Sequence, residues 1–299
     1  MTQSSSFRQI TIIGTGLIGG SFALAAKTNG FRGKIIGCDR KPVLAKAKRI
    51  SAIDVATADP ITACKNSDLV VLATPVGGII ELIEELGPHL SPETLLTDVG
   101  STKSAVVRAA QESFGGDVTR RFLGGHPMAG KENSGIEFAD AGLFKGAVWF
   151  LTPQKGQNPK AGSRMSAFSA LIRRFGVKII SLDAAEHDRL CAWISHVPQM
   201  ISTALASVLV EEYGENAPLL EAGGRALREM TRIASSPYSM WRDIAITNRQ
   251  PISDALLKLE QELAHIRENL NSRQLEEEFE RAHKLKNHSP RRHGGTENK

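Results

Sequence analysis

The stretch GTGLIGG, residues 14–20, constrains the fold of this chain more than any other part of its sequence. Gly14, Gly16 and Gly19 form a G-x-G-x-x-G array, which follows a short apolar run and opens a segment with helical spacing. Asp39 ends the next apolar run, twenty residues after Gly19. A strand, a glycine-rich turn, a helix and a second strand closed by an acid are the fingerprint of a dinucleotide-binding α/β unit. A glycine-rich turn that binds no ligand is the alternative.

Each position of the array has a physical role in such a unit. The first glycine permits the tight turn, the second lets the backbone approach the pyrophosphate, and the third lets helix and strand pack closely. The Asp39 carboxylate suits ribose hydroxyls and repels a 2′-phosphate, which favours NAD. The adjacent Arg40 leaves NADP open, because a guanidinium can bind that phosphate. The predicted cofactor-binding residues are Gly14, Gly16, Leu17, Ile18, Gly19, Asp39, Arg40, Thr74, Pro75, Val76 and Ser101.

Strand and helix patterns alternate through the first part of the chain. The expected strands lie in the stretches RQITIIGTG, GKIIGCD, SDLVVLATP, ETLLTDVG, AVWFLTP and VKIISLD. Such alternation predicts a doubly wound parallel sheet with helices on both faces. We therefore predict an NAD(P)-binding, Rossmann-like α/β domain over residues 7–182.

Only helical patterns follow Asp183. Residues 183–214 read as one long helix that begins with a capping box and is kinked by Pro198. Residues 253–285 read as one amphipathic helix, with apolar side chains three or four positions apart. We predict an all-α domain over residues 183–284, whose apolar stripes fit either packing within the chain or a homodimer.

Composition excludes several other classes of protein. Three cysteines at wide spacings predict no disulfide framework and no metal site. No run of eighteen apolar residues and no apolar leader is present, so we expect no membrane span and a reducing cytoplasm. Much of the net charge of +5 lies in residues 284–299, so nucleic-acid binding is not expected. Residues 285–299 are predicted to form a disordered basic tail.

Two polar side chains follow strand ends at the sheet edge where ligands bind in such folds. Ser101 lies in TDVGSTK, and His126 lies in GGHPMAGKENSG, which fits neither a helix nor a strand pattern. An imidazole and a hydroxyl beside a nicotinamide suit alcohol oxidation, because the imidazole takes the hydroxyl proton as hydride leaves carbon. We therefore predict an active-site loop whose glycines admit substrate and in which Pro127 fixes the chain beside His126. A flexible loop without chemistry is the alternative.

Several motifs follow one another along the chain in a definite order: GTGLIGGS, ATPV, DVGSTK, GGHPMAG, SHVPQ, TRIA and MWRDI. In this order, from about residue 8 to about residue 270, the chain resembles the prephenate and arogenate dehydrogenases. The resemblance implies a Rossmann domain plus an all-α dimerisation domain. It also implies NAD-dependent oxidative decarboxylation of prephenate to 4-hydroxyphenylpyruvate, or of arogenate to tyrosine, in tyrosine biosynthesis.

The resemblance implies a role for each matching residue. His126 is similar to the family's catalytic histidine, which hydrogen-bonds the ring hydroxyl, and Ser101 is similar to its partner. Arg232 resembles the arginine that binds a substrate carboxylate, for which a bidentate guanidinium is suited. The other implied substrate-site residues are His196 and Glu132, and Trp241, Arg242 and Asp243 resemble structural or site-edge residues.

Lys131 departs from the family, in which many members have a small or polar residue at this position. If its ammonium faces the substrate, it favours prephenate, because it repels the ammonium of arogenate; if it faces solvent, it has no effect. His187 carries no motif, and we expect no role for it. Two other classes stay open: another dehydrogenase of this architecture, such as a 3-hydroxyacid dehydrogenase or an imine reductase, and a non-catalytic NAD-binding module.

Overall fold

A computed structural model describes residues 7–131, 133–157, 162–214 and 222–288 of the 299-residue chain. Its strands are β1 (Gln9–Ile13), β2 (Lys34–Cys38), β3 (Val55–Thr57), β4 (Leu69–Leu72), β5 (Leu95–Asp98), β6 (Phe122–Pro127), β7 (Val148–Thr152) and β8 (Lys178–Ser181). The helices among them are α1 (Leu17–Thr28), α2 (Lys41–Arg49), α3 (Pro60–Cys64), α4 (Val76–Leu86), α5 (Ser104–Phe114), α6 (Val118–Arg121) and α7 (Arg164–Arg174).

These strands form one sheet in the order β3-β2-β1-β4-β5-β6-β7-β8. All neighbours pair in parallel except β6 and β7, which are antiparallel. Because β4 is covered on both faces, all four of its residues are apolar and buried. The predicted doubly wound α/β fold is confirmed, with one antiparallel pair in an otherwise parallel sheet.

One hydrophobic core lies on each face of the sheet. On one face Phe22 of α1 packs against Trp149 of β7 and Phe168 of α7. On the other face α4 and α5 bury residues such as Ile83 and Phe114. The two cores hold the carboxyl ends of β1, β4 and β5 side by side, and this arrangement forms the edge that carries the site.

The stretch around His126 is a strand, so the predicted active-site loop is wrong for residues 124–127, and the alternative of a flexible loop is wrong there too. All six residues of β6 are buried. A Cβ at Gly124 would lie 2.3 Å from Thr152 Oγ1, and one at Gly125 would lie 2.7 Å from the carbonyl oxygen of Asp98. These two glycines therefore serve close strand packing, which leaves no alternating pattern to detect in the sequence.

The helical segment that follows Asp183 begins as predicted, because the Asp183 side chain accepts a hydrogen bond from the Glu186 N–H at 2.8 Å. It consists of α8 (Ala184–Cys191), a π-helical turn (Ala192–His196) and α9 (Val197–Tyr213). The wide turn precedes Pro198, whose ring cannot fit against a regular preceding turn. Where the sequence predicts a kink, the structure therefore has a π-helical turn.

The segment Ala184–Tyr213 contains an 18-residue window with a mean hydropathy of 1.2, so it is long and apolar enough to cross a membrane by length and composition alone. This runs against the expectation that no such segment exists. Only 22% of the apolar window is buried, and Trp193, Ile194 and Val208 are exposed. The same segment also buries charged and polar side chains against protein groups, among them Asp188 and Gln199.

Further helices occupy Gly224–Thr231, Tyr238–Thr247, Arg249–Glu268 and Arg273–His288, with a 3₁₀ turn at Arg232–Ser235. The chain forms two compact units, Met1–Ile252 and Ser253–Lys299. The predicted single helix over residues 253–285 is two helices. The Asn269 amide bonds back to the His265 carbonyl at 2.9 Å, and Ser272 Oγ accepts the Gln274 N–H at 3.2 Å, so one helix ends and another starts between them.

The predicted disordered tail begins too early, because the last helix continues to His288. Residues 289–299, the rest of that predicted tail, lie outside the described residues.

Candidate active site

A cleft of about 850 Å³ lies at the carboxyl ends of β1, β4 and β5. Ser101, His126 and Lys131 line it together with most of the predicted cofactor residues. Those cofactor residues are Gly14, Gly16, Leu17, Ile18, Asp39, Arg40, Thr74, Pro75 and Val76. Gly19 is the one member of the predicted set that is buried behind the cleft wall.

The three glycines of the array occupy three different environments. Gly14 has φ +91°, and a Cβ there would lie 2.6 Å from the Ala73 backbone. A Cβ at Gly19 would lie 2.0 Å from the Gly14 carbonyl oxygen. A Cβ at Gly16 would meet no atom within 4 Å, so the space beside the N-terminus of α1 is open. An open cradle beside free helix N–H groups fits a pyrophosphate.

Asp39 is fixed at the end of β2 by two backbone donors. Its Oδ2 accepts the Thr15 N–H at 2.8 Å, and its Oδ1 accepts the Arg40 N–H at 2.7 Å. The carboxylate is held at the cleft with acceptor capacity left for ribose hydroxyls, while the exposed Arg40 lies beside it. The residues present therefore fit a dinucleotide.

His126 is 7% exposed and is bonded to a residue that sequence reasoning missed. Its Nδ1 lies 2.9 Å from Nε2 of His187, and Nδ1 of His187 lies 2.9 Å from Oδ1 of Asp188. We expected no role for His187, but the structure buries this ring in α8 within hydrogen-bond distance of His126, at the end of β6. The only signal in the sequence was the adjacent pair His187 and Asp188 near the start of a helix.

Burial keeps both rings neutral near pH 7. Burial, followed by the neighbouring His187 and Lys103, lowers the pKa of His126 well below its ordinary value. Burial also lowers the pKa of His187, although Asp188 partly opposes the shift. A neutral imidazole can accept a proton, so His126 has the protonation state of a base.

Asp188 connects the helical segment to the sheet domain. Besides His187, it accepts the backbone N–H of Lys103 at 2.7 Å and that of Ser104 at 2.8 Å, at the start of α5. Burial by itself raises the pKa of Asp188, but the hydrogen bonds from His187, Ser104 and Lys103 outweigh burial and hold it below its ordinary value. Asp188 is therefore ionised, and its position depends on the N-terminus of α5.

A buried ion pair lies beneath Ser101 and His126. The Lys103 ammonium bonds to the Asp98 carboxylate, and both side chains are fully buried. Asp98 also accepts the N–H of Gly100 at 2.8 Å and that of Gly125 at 3.1 Å. One carboxylate thereby joins the turn that carries Ser101 to the strand that carries His126.

His196 is fully buried and leaves one ring nitrogen without a partner among the described residues. Asn248 Nδ2 donates to its Nδ1 at 3.0 Å, so the other nitrogen, Nε2, carries the proton. Burial lowers the pKa of His196 to about 4, which keeps it neutral. A buried N–H without a partner is costly, and His196 is not among the residues that line the cleft.

The remaining predicted substrate residues differ in their placement. Arg232 opens the 3₁₀ turn Arg232–Ser235, and Ser236, which follows it, lines the cleft. Lys131 lines the cleft, but its ammonium donates to the carbonyl of Phe138 at 3.0 Å and to Asp140 at 3.3 Å. Glu132 lies outside the described residues.

Three ligand atoms of His126, His187 and Cys191 lie within 4.8 Å of one another, a donor set that could hold a metal ion. The ring nitrogens are 2.9 Å apart, a hydrogen-bond separation. Burial, followed by the charge of Asp188, raises the pKa of Cys191 to about 12, so the thiol keeps its proton. We interpret the cluster as a hydrogen-bonded chain.

Two family models match the chain. Residues 22–181 match the model described as "Prephenate dehydrogenase, nucleotide-binding domain", and residues 183–285 match "Prephenate dehydrogenase, dimerization domain". Together the matched ranges contain Ser101, His126, His187, His196 and Arg232.

Individual relatives agree with the family models. The prephenate dehydrogenase of Lactococcus lactis is 33% identical over 93% of this chain and 77% of its own. The crystal structure of Aquifex aeolicus prephenate dehydrogenase with hydroxyphenyl propionate and NAD+ is 32% identical, with a TM-score of 0.83 over 95% of this chain and 98% of that one. Synechocystis arogenate dehydrogenase is 30% identical, with a TM-score of 0.74 over 93% and 97% of the two chains.

Proposed function

Since the chain belongs to the prephenate dehydrogenase family, we propose that it oxidises and decarboxylates prephenate to 4-hydroxyphenylpyruvate with NAD as the cofactor. The reaction is a step of tyrosine biosynthesis and takes place in the cytoplasm, where the three cysteines stay reduced. One observation supports the proposal most strongly: a neutral, buried His126 lines the same cleft as Ser101 and the residues that fit a dinucleotide.

The residues that line this cleft would hold NAD+, which would supply the acceptor for the hydride that leaves the substrate ring carbon. His126 then takes the proton of the ring hydroxyl and returns it to the same oxygen once loss of CO₂ has made the ring aromatic. Ser101 lines the cleft with His126 and orients the hydroxyl. His196 donates its free Nε2–H to an acceptor of the substrate, and Arg232 binds a substrate carboxylate.

Prephenate is the proposed substrate, and arogenate or dual use of both is the alternative. Lys131 places a cation on the cleft wall, which disfavours the ammonium of arogenate, although Asp140 partly neutralises it. Lys131→Thr should lower the ratio of kcat/KM for prephenate to kcat/KM for arogenate by about threefold or more. Asp140→Asn is the matched control, because it strengthens the field of Lys131 and shifts the ratio the other way. An unchanged ratio in both variants would mean that Lys131 has no influence on the choice between the two substrates.

The proposed assembly is a homodimer formed through α8 and α9. The exposed apolar side chains of this segment, including Trp193, Ile194, Val208 and Tyr213, are what a second copy would cover. Residues 183–285 match the model of a dimerisation domain, which supports a second copy of the chain, rather than a membrane, as the partner of this apolar surface.

The test is NADH formation by the purified chain with prephenate and, separately, with arogenate. His126→Ala should lower kcat by about 10²- to 10⁴-fold with NAD binding retained, because the base is lost and the dinucleotide residues are intact. His89→Ala, at an exposed position, is the matched control and should keep full activity. NAD binding without turnover of either compound favours the non-catalytic module, and turnover of a 3-hydroxyacid in their place favours the other dehydrogenase class.

A further inference from the structure

We propose that Asp188 and His187 are positioning residues that hold the His126 ring in the tautomer with its proton on Nδ1 and its lone pair on Nε2. The proposal rests on the proposed function, because it explains how His126 is kept ready to accept a proton at one stated atom. The three side chains form a hydrogen-bonded chain, and the partners of each group determine which atom donates and which accepts in every bond.

The direction starts at Asp188, which can only accept. Its two oxygens receive the backbone N–H groups of Lys103 and Ser104 at 2.7 and 2.8 Å, and such donors favour the ionised carboxylate. The Nδ1 of His187 lies 2.9 Å from Oδ1 of this carboxylate. His187 must therefore carry its proton on Nδ1, and its Nε2 has the lone pair.

The next contact transfers this polarity to the base. Nε2 of His187, now an acceptor, lies 2.9 Å from Nδ1 of His126. His126 therefore donates from Nδ1, and in the neutral ring Nε2 is left as the acceptor. The alternative tautomer of His126 would place two lone pairs against each other inside a buried contact, with no water to separate them.

The groups around these rings are consistent with this direction. The Cys191 thiol lies 3.4 Å from Nε2 of His187 and 3.8 Å from Nδ1 of His126. Because the thiol keeps its proton, it is a weak donor, and Nε2 of His187 is the nearer acceptor. Lys103 is paired with Asp98, and His196 is held neutral by burial. Among the described side chains around the rings, Asp188 is the anion in direct hydrogen-bond contact with the chain.

The same chain stabilises the product of proton transfer. When Nε2 of His126 takes the hydroxyl proton, the ring becomes a buried cation. Its Nδ1–H bond to His187 then strengthens, and the negative charge of Asp188 lies one ring away. Asp188 and His187 thus contribute to the base through orientation and charge without touching the substrate.

The first test is the tautomer of His126 in the wild-type protein without ligand. Nitrogen-15 NMR of the histidine-labelled chain reports a protonated Nδ1 and an unprotonated Nε2 if the proposal holds, with His126→Asn used to assign the signals. In His187→Leu, which has no acceptor, the two His126 tautomers should become mixed. A His126 signal with the proton on Nε2 in the wild type overturns the proposal. This readout needs no turnover, so it is independent of the proposed reaction.

The second test is kinetic and compares two replacements of His187. His187→Leu should lower kcat about 10²-fold and leave KM within about twofold, because the base is misoriented and the substrate groups are intact. His187→Gln places an amide oxygen where Nε2 lies and should restore most of kcat. Equal losses of kcat in both variants, with unchanged thermal unfolding, contradict the positioning role of His187 and Asp188, even if the wild type turns over prephenate. A wild type that is inactive with both substrates contradicts the proposed function. The NMR result still decides which tautomer His126 adopts.

Discussion

Gly16 and Gly19 belong to one motif, but they meet different atoms, and this difference separates cofactor binding from stability. Gly16 borders open space in the cleft and has φ −75°, which any residue adopts. Gly19 is buried, with the Gly14 carbonyl where a Cβ would stand. The surroundings of the two glycines agree with the roles that the motif assigns to its second and third positions.

Gly16→Ala should leave the free energy of unfolding within about 0.5 kcal/mol of wild type and raise the Kd for NAD about tenfold or more, because the methyl group fills the pyrophosphate space. Titration calorimetry measures the Kd, and urea unfolding measures the stability. A normal Kd contradicts the placement of the pyrophosphate.

Gly19→Ala is the matched variant and should lower the free energy of unfolding by about 3 kcal/mol, since α1 must move away from β1. Urea unfolding checks it. Unfolding at the wild-type midpoint would mean that the helix shifts without cost, against the 2.0 Å separation.

At the scale of the element, the surroundings of a segment decide its form. Strand β6 contains two glycines, a histidine and a proline and shows no strand periodicity, yet it is fully buried between β5 and β7. The segment α8 to α9 is helical, as the sequence predicts. Its apolar surface is not explained by packing in the first unit, because Ile194 is 49% and Val208 is 54% exposed.

The double variant Ile194→Glu, Val208→Glu should convert the proposed dimer to a monomer, because two carboxylates would be buried without partners. Sedimentation velocity measures the mass of the species. Ile50→Glu, at a position 39% exposed outside this segment, is the control and should leave the association unchanged. A dimer that persists in the double variant places the interface elsewhere.

At the scale of the whole molecule, buried histidines link stability to pH. His126, His187 and His196 all have a lowered pKa in the folded state, mainly through burial. The unfolded chain, with an ordinary pKa near 6.5, therefore binds more protons than the folded chain as pH falls below that value. Stability should fall with decreasing pH through this window.

For His196 this window runs from about pH 6.5 down to the folded pKa of about 4. Across it, the free energy of unfolding should fall by about 3 kcal/mol because of this ring. Urea unfolding at several pH values measures the slope. His196→Leu should reduce the slope by up to one proton. Identical slopes in wild type and His196→Leu would show that this ring takes up its proton at the same pH in the folded and the unfolded chain.

The sequence by itself determined the α/β fold, the cofactor edge and the family. These follow from local patterns: a glycine array after a strand, alternating apolar runs, and short motifs in a definite order. It also predicted that Ser101 and His126 share one edge of the sheet, because strand ends in such a sheet meet there, and both line the cleft. Nothing in those patterns depends on contacts between distant parts of the chain.

Only the tertiary structure decided what surrounds His126. His187 and Asp188 are 61 and 62 positions from His126 along the chain, and no periodicity connects them. Their contact depends on the docking of α8 against α5 and β6, which is set by the hydrogen bonds of Asp188 to Lys103 and Ser104. The burial of His126 likewise depends on strands on both sides of it. Proton positions and shifted pKa values arise from such packing, and a linear pattern does not contain them.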